Sequence, residues 1–292
     1  MPQNITSHGE PLYLVIGATG KTGRRVAQRL RAGGHAIRLA SRQGQPAFDW
    51  DRPSTWEAHL RQATAVYLTY APDLAMPGAV EAIDGFIQLA ITQRVQKIVL
   101  LSGRGEPEAQ RCEQLLQQSG LAWTIVRSSW FSQNFSEGFL AESVQAGRLI
   151  LPVADVPEPF VDVDDVADVA FAALIDPKHD GQIYEVTGPR LLTFSEALAL
   201  IGAALDRDIA LDSLSESAFV DEMVGSGVPA DIAQFYQALF SSVLDGRNAS
   251  VANGVERALR RAPRDFSDFV AAIAVEGWRG ASSAPEPTGA TE

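Results

Sequence analysis

A single cysteine stands among 292 residues, which excludes an intrachain disulfide and any zinc site built on clustered thiolates. Cys112 falls in a run of helical period and is expected to pack, in a protein suited to a reducing compartment. Positive charge is scarce as well. Lys+Arg number 24 against 36 Asp+Glu, a net -12, and the longest basic runs are pairs such as Arg24-Arg25 and Arg260-Arg261. Such a surface lacks the basic footprint that nucleic acid or an anionic membrane would need. No stretch approaches the about 18 uninterrupted apolar residues of a spanning helix, and no basic segment precedes the first apolar run of MPQNITSHGEPLYLVIG. A soluble, cytoplasmic protein is expected, in which the sequon Asn4-Ile5-Thr6 carries no meaning. The histidines His8, His35, His59 and His179 show no ligand spacing, so no metal site is expected.

What is present is an alternation. Short β-rich runs at Leu12 to Ile16, Ala36 to Ala40, Ala65 to Thr69, Lys97 to Leu101 and Ala122 to Val126 are separated by amphipathic stretches, the pattern of a parallel sheet. Runs such as IVLL are nearly continuous, as in strands covered on both faces by helices. Val80, Ile83, Ile87, Ala90 and Ile91 recur at spacings of three and four and define one helix face; Cys112, Leu115 and Leu116 define another. Beyond Val126 the pattern loosens into an aromatic-rich helix candidate at Gln133 to Ala146, a helix capped by Asp164 running to Ile175, and a strand at Gln182 to Val186. Helices dominate after Thr193, which opens a capping box with Glu196. The sequence therefore predicts a Rossmann-like, doubly wound α/β domain over residues 1–190. A smaller, mostly helical substrate domain over 191–280 and a mobile tail over 281–292 follow.

Strand LYLVI runs directly into Gly17-Ala18-Thr19-Gly20-Lys21-Thr22-Gly23 and then into an amphipathic helix. A glycine turn at the first strand-helix junction lets backbone N–H groups approach a pyrophosphate at the helix N-terminus, where the helix dipole favours negative charge. The spacing is G-x-x-G-x-x-G. Gly20-Lys21-Thr22 also matches the end of a nucleotide-hydrolase phosphate loop, but that motif's first glycine would fall at Val15, inside the strand. Lys21 is therefore expected along dinucleotide phosphates. About 20 residues on, where an acid would bind a free ribose 2′-hydroxyl, the chain reads Arg38-Leu39-Ala40-Ser41-Arg42. A hydroxyl and a guanidinium there suit the extra phosphate of NADP(H).

Two further groupings have structural readings beside functional ones. Asp162, Asp164, Asp165 and Asp168 could suggest a cation site, but their spacing fits acids at a helix start. Trp130 and Phe131, just past a strand's carboxyl end, are placed to line a substrate pocket, whereas Phe135 and Phe139 at helical spacing are expected to pack.

The segments GATGKTG, VYLTYAP, LLSGRGEPEAQRCEQLLQQSGLAWTIVRSSWFSQNF and PFVDVDDVADVA resemble the NmrA-like, atypical short-chain dehydrogenase/reductase family. TGPRLLTFSEALALI and LDGRNASVANGVERALRRAPRDF are similar to bacterial relatives of the festuclavine-type (ergot alkaloid) dehydrogenases, in a group that also holds quinone reductases and non-catalytic NADP-sensing regulators. The resemblance implies that Thr69, Tyr70, Ala71 and Pro72 border the adenosine side of the cofactor and that Ser102 and Gly103 border its nicotinamide side. It places Trp130 and Phe131 at the pocket floor. The Tyr-x-x-x-Lys pair of classical short-chain dehydrogenases is missing: Tyr13, Tyr67, Tyr70, Tyr184 and Tyr236 have no lysine four residues on, and Gly105 and Ala109 occupy the matching positions. The implied activity is NADPH-dependent hydride transfer to a small acceptor that carries its own activation, such as an iminium, quinone or conjugated electrophile. A cofactor-sensing regulator is the alternative, and oligomerisation is open.

Overall fold

The computed structural model describes residues 10–153 and 155–276; the expected tail at 281–292 lies outside them. In chain order the elements begin β1 (Leu12–Ile16), α1 (Lys21–Ala32), β2 (Ala36–Ala40), α2 (Glu57–Leu60), β3 (Ala65–Leu68), α3 (Ala79–Thr92), β4 (Lys97–Gly103), α4 (Pro107–Gln118) and β5 (Ala122–Ser128). They continue with α5 (Phe139–Gln145), β6 (Arg148–Leu151), α6 (Val163–Ile175), β7 (Gln182–Val186), α7 (Phe194–Ala204), β8 (Ala210–Ser213), α8 (Glu216–Gly225), α9 (Ala230–Val243), α10 (Gly254–Leu259) and α11 (Phe266–Glu276).

The five expected strands form within a residue or two; the inner β1, β3 and β4 are apolar runs buried on both faces, whereas β2 lies at the sheet edge with only Ala40 buried. Leu14, Val15, Val66, Tyr67, Leu68, Ile98, Val99 and Leu100 are all fully buried. They pair as a parallel six-stranded sheet in the order β2-β1-β3-β4-β5-β7. The direction in which successive strands are laid down therefore reverses between β1 and β3, and ligands of such sheets bind outside the carboxyl ends of the strands at that reversal.

Helices cover the sheet. On α3 the predicted face is buried at Ile83, Ile87 and Ala90, with Phe86 beside them, while Ile91 remains exposed. On α4, Cys112 and Leu116 join the same core; burial pushes the Cys112 thiol up to about 12, so it packs rather than reacts. Across the other face α1 is fastened to α6 by charge. Arg29 Nε donates to Asp168 Oδ1 at 2.5 Å and its Nη2 to Asp164 Oδ1 at 2.8 Å, while Arg261 Nη2 reaches Asp165 at 2.6 Å and Asp168 at 2.5 Å. The acidic run is thus a structural ion-pair network. Its helix starts at Val163, so Asp164 lies inside the first turn and is not the cap expected from sequence.

The chain divides into two compact units whose boundaries differ from a single break after residue 190. Among the described residues, one holds the sheet and comprises residues 10–129 together with Val163–Thr187 and Ala252–Pro263; the other comprises Trp130–Asp162, Gly188–Val251 and residues 264–276. Segment Ala252–Pro263 belongs with the sheet for a steric reason. Gly254, which opens α10, sits so near β7 that an added β-carbon would lie 2.0 Å from the Glu185 carbonyl oxygen.

The second unit is not purely helical. β6 and β8 pair in parallel, Arg148 opposite Ala210 through Leu151 opposite Ser213, a pairing that the polar segment ALDS did not announce. The long helix expected at Gln133 to Ala146 is two pieces, a 3-10 turn Ser132–Phe135 and α5, because Gly138 takes φ 114 between them. Phe135, Phe160, Phe194 and Phe266 pack against one another in its core at edge-to-face and tilted angles, as expected of Phe135; the side chain of Phe139 lies outside those described. The capping box at Thr193 and Glu196 forms as predicted.

Candidate functional site

The glycine loop is shaped by close backbone approach. Gly17 takes φ 67, and a β-carbon there would lie 2.5 Å from Thr69 Oγ1, which itself donates to the Ile16 carbonyl at 3.3 Å. Thr69 at the end of β3 and the loop after β1 are thereby brought together at the reversal of strand order. Gly20 N donates to Gly17 O at 2.8 Å, and Ala18 N donates to Ala40 O at 3.1 Å, tying the loop to the end of β2. No side chain caps α1 at Gly20, while Thr19 and Gly20 are exposed on the rim and Lys21 is half-buried. Backbone N–H groups at a helix start are suited to an anion. Thr22 departs from its companions: its side chain is buried against the Tyr67 side, leaving its backbone to the loop.

At the end of β2, Ser41 is half-buried and its carbonyl accepts from Gly44 N at 3.1 Å and Phe48 N at 2.9 Å. Arg42 is exposed and forms no ion pair with a described residue. The carboxylate in its field, Asp49, is held below the usual range chiefly by Arg52, which donates to it at 2.9 Å. After β3, Tyr70 lies 5.0 Å from Trp50, part of an aromatic group with Phe48, Trp56 and Phe86; Ala71 and Pro72 are exposed.

Ser102 and Gly103 end β4. Ser102 is buried, and its hydroxyl donates to Glu113 Oε1 at 2.6 Å. Glu113 also receives Arg127 through Nε at 3.0 Å and Nη2 at 2.5 Å, and Arg127 Nη1 reaches Glu185 Oε1 at 2.9 Å. The Ser102 hydroxyl is thus committed inward, and Arg127 is held charged, above its ordinary range, mainly by its bond to Glu113.

Two carboxyl groups at this edge escaped sequence reasoning. Glu106 precedes α4 as its N-cap residue, yet its side chain makes no capping bond and instead lies back across Gly103, whose added β-carbon would meet the carboxylate at 2.2 to 2.3 Å. Burial first, then Asp73, Glu108 and Glu113, push the Glu106 carboxyl up to about 8. Asp73, in the segment after β3, is raised for the same leading reason although it accepts from Ala75 N at 2.8 Å. From sequence, EPEAQ reads as an ordinary helix start.

In the second unit Trp130 is half-buried, stacked on Phe240 at 5.3 Å and 11° and edge-on to Phe194 at 5.9 Å. Phe131 is half-buried and bridges Val161.

Residues 17–177 match the NAD(P)H-binding family. The chain belongs to that family. It is 32% identical over 272 residues to the uncharacterized oxidoreductase YesF of Bacillus subtilis (strain 168), covering 89% of this chain and 94% of that one. Agroclavine dehydrogenase of Claviceps fusiformis is 29% identical over 280 residues (88% and 95%), and NAD(P)H azoreductase of Xenophilus azovorans 28% over 285 (90% and 98%). Among solved structures, triphenylmethane reductase of Citrobacter sp. complexed with NADP(H) has a TM-score of 0.75 at 16% identity, covering 90% and 99%. The NADPH-dependent quinone oxidoreductase of Escherichia coli complexed with NADPH has a TM-score of 0.72 at 18% identity, with the same coverage. This NAD(P)H-binding protein therefore has the fold and the oxidoreductase class expected from its sequence. Among its described residues no helix is long and apolar enough to cross a membrane.

Proposed function

We propose that the protein is an NADPH-dependent reductase that passes hydride to a small iminium, quinone or conjugated electrophile without a Tyr/Lys pair. The observation that carries this reading is the glycine loop pressed against Thr69 at the strand-order reversal, with Arg42 exposed and unpaired by any described carboxylate at the end of the neighbouring strand. Gly17, Thr19, Gly20, Lys21, Thr22 and Gly23 would hold the pyrophosphate through backbone N–H groups, and Ser41 and Arg42 the 2′-phosphate. Thr69, Tyr70, Ala71 and Pro72 would border the adenosine half, and Ser102 and Gly103 the nicotinamide half. The bound cofactor supplies the hydride. Trp130 and Phe131, which follow β5 directly, would give the substrate an apolar surface.

The names of the relatives support an acceptor with its own activation: a clavine dehydrogenase and an azoreductase among the sequences, a quinone oxidoreductase among the structures. An unactivated ketone is a poor hydride acceptor without a tyrosine–lysine pair to polarise its carbonyl, whereas an iminium carbon already carries positive charge and becomes neutral on accepting hydride. Stopped-flow absorbance of NADPH with N-methyl-3,4-dihydroisoquinolinium, menadione and 2-butanone tests this. The first two should turn over well ahead of the ketone. Efficient ketone reduction overturns the acceptor class, and inertness to every electrophile favours an NADP-sensing regulator.

A further inference from the structure

The strand order orients a dinucleotide along the sheet edge. Arg42 follows β2, the glycine loop follows β1, Asp73 lies after β3, and Glu106 follows β4; adjacent strands lie about 4.8 Å apart. With the 2′-phosphate at β2 and the pyrophosphate at β1, the reacting half of the cofactor extends over β3 and β4. Gly103 closes β4 there, and the Glu106 carboxyl lies on it, closer than any side chain at position 103 would allow. This carboxyl accepts no hydrogen bond from a described residue, and it turns away from the helix N-terminus it precedes.

We infer that Glu106 is the proton donor of the reaction, in the place where the sequence shows no tyrosine–lysine pair, for acceptors that are electrophilic in themselves and whose reduction leaves a basic nitrogen, the azo bond above all. This rests on the reductase reading above. The balance is complete. One nitrogen of the N=N bond takes the hydride supplied by NADPH, which leaves as NADP⁺; the displaced π pair on the second nitrogen takes the Glu106 proton as the carboxyl O–H breaks. The product is a hydrazine, and water reprotonates the carboxylate.

The protonation state fits the task. The groups that face Glu106 are Asp73 from the segment after β3 and Glu108 and Glu113 from α4, Glu113 being paired in turn with Arg127 of β5. Three carboxyl groups and burial favour the neutral acid at pH 7, with a pKa of about 8, near the operating pH where a general acid is most effective.

The experiment compares wild type, Glu106→Gln and Glu106→Asp on methyl red, which needs the proton, and on N-methyl-3,4-dihydroisoquinolinium, which does not. Glu106→Gln should lower kcat on methyl red by about 100-fold, the usual contribution of a general acid, and abolish the fall of kcat above pH 8; Glu106→Asp should restore part of it. Turnover of the iminium, which needs no proton, should fall far less than that of methyl red, so the ratio of the two rates is the readout. Infrared difference spectra of wild type against Glu106→Gln, without substrate, should show a protonated carboxyl at pH 7 that is lost near pH 8. Equal loss on both acceptors, loss on neither, or an ionised Glu106 at pH 7 overturns the assignment. A wild type inert to both acceptors overturns the reductase reading and the donor role with it; a protonated Glu106 in the same sample would locate that failure in the function and not in the carboxyl.

Discussion

Gly23, in the first turn of α1, lies so close to the Gly17 carbonyl that a β-carbon added to it would stand 2.2 Å from that oxygen. Both partners are backbone, so neither can swing aside. A Gly23→Ala variant should therefore lose about 1 to 3 kcal/mol of stability through overpacking and bind NADPH poorly. Gly20→Ala, whose β-carbon would meet the same oxygen at 3.2 Å, should melt near the parent temperature. Thermal melts with and without NADPH separate the two; equal melting of Gly23→Ala and parent would remove the close-approach argument.

Cofactor choice should turn on Arg42. If Arg42 holds the 2′-phosphate as proposed, Arg42→Asp should exchange attraction for repulsion and weaken NADPH binding by about 2 kcal/mol, roughly thirtyfold, while NADH binding changes little. Calorimetric titration with both cofactors checks this. An unchanged NADPH affinity would take Arg42 out of the 2′-phosphate site.

Stability should fall with pH through Glu106. Its folded pKa lies above the unfolded carboxyl value, so its contribution is fully present below the unfolded pKa of about 4.3 and is lost as pH rises through about 8. The melting temperature of wild type should drop between pH 5 and pH 9, and that of Glu106→Gln should drop less. Asp73, raised in the same direction, should leave the variant a residual slope. Parallel curves would mean that Glu106 titrates normally.

The buried Glu113 should matter to stability well beyond its one residue. Removing its charge by Glu113→Gln leaves Arg127 with Glu185 and the Ser102 hydroxyl with a weaker acceptor. Breaking a buried pair on one side costs about 3 kcal/mol or more, to be read as a lower urea midpoint with an unchanged slope. A midpoint within error of wild type would show that solvent screens the network.

The sequence by itself determined the sheet, the glycine turn and the cofactor class, because those depend on local period and on residues adjacent in the chain. Strand LYLVI, the GATGKTG turn and the helix face at Ile83, Ile87 and Ala90 each carry their signal within one window of residues. Tertiary structure alone decided what depends on distant pairing. β8 exists because Arg148–Leu151, some 60 residues earlier in the chain, supplies its ladder. The run Asp164 to Asp168 serves structure because Arg25, Arg29 and Arg261 converge on it from distant positions. The raised proton affinity of Glu106 became legible only when folding laid it across Gly103 and brought Asp73 and Glu113 near, since it is set by burial and neighbouring charge, of which the adjacent sequence supplies only Glu108.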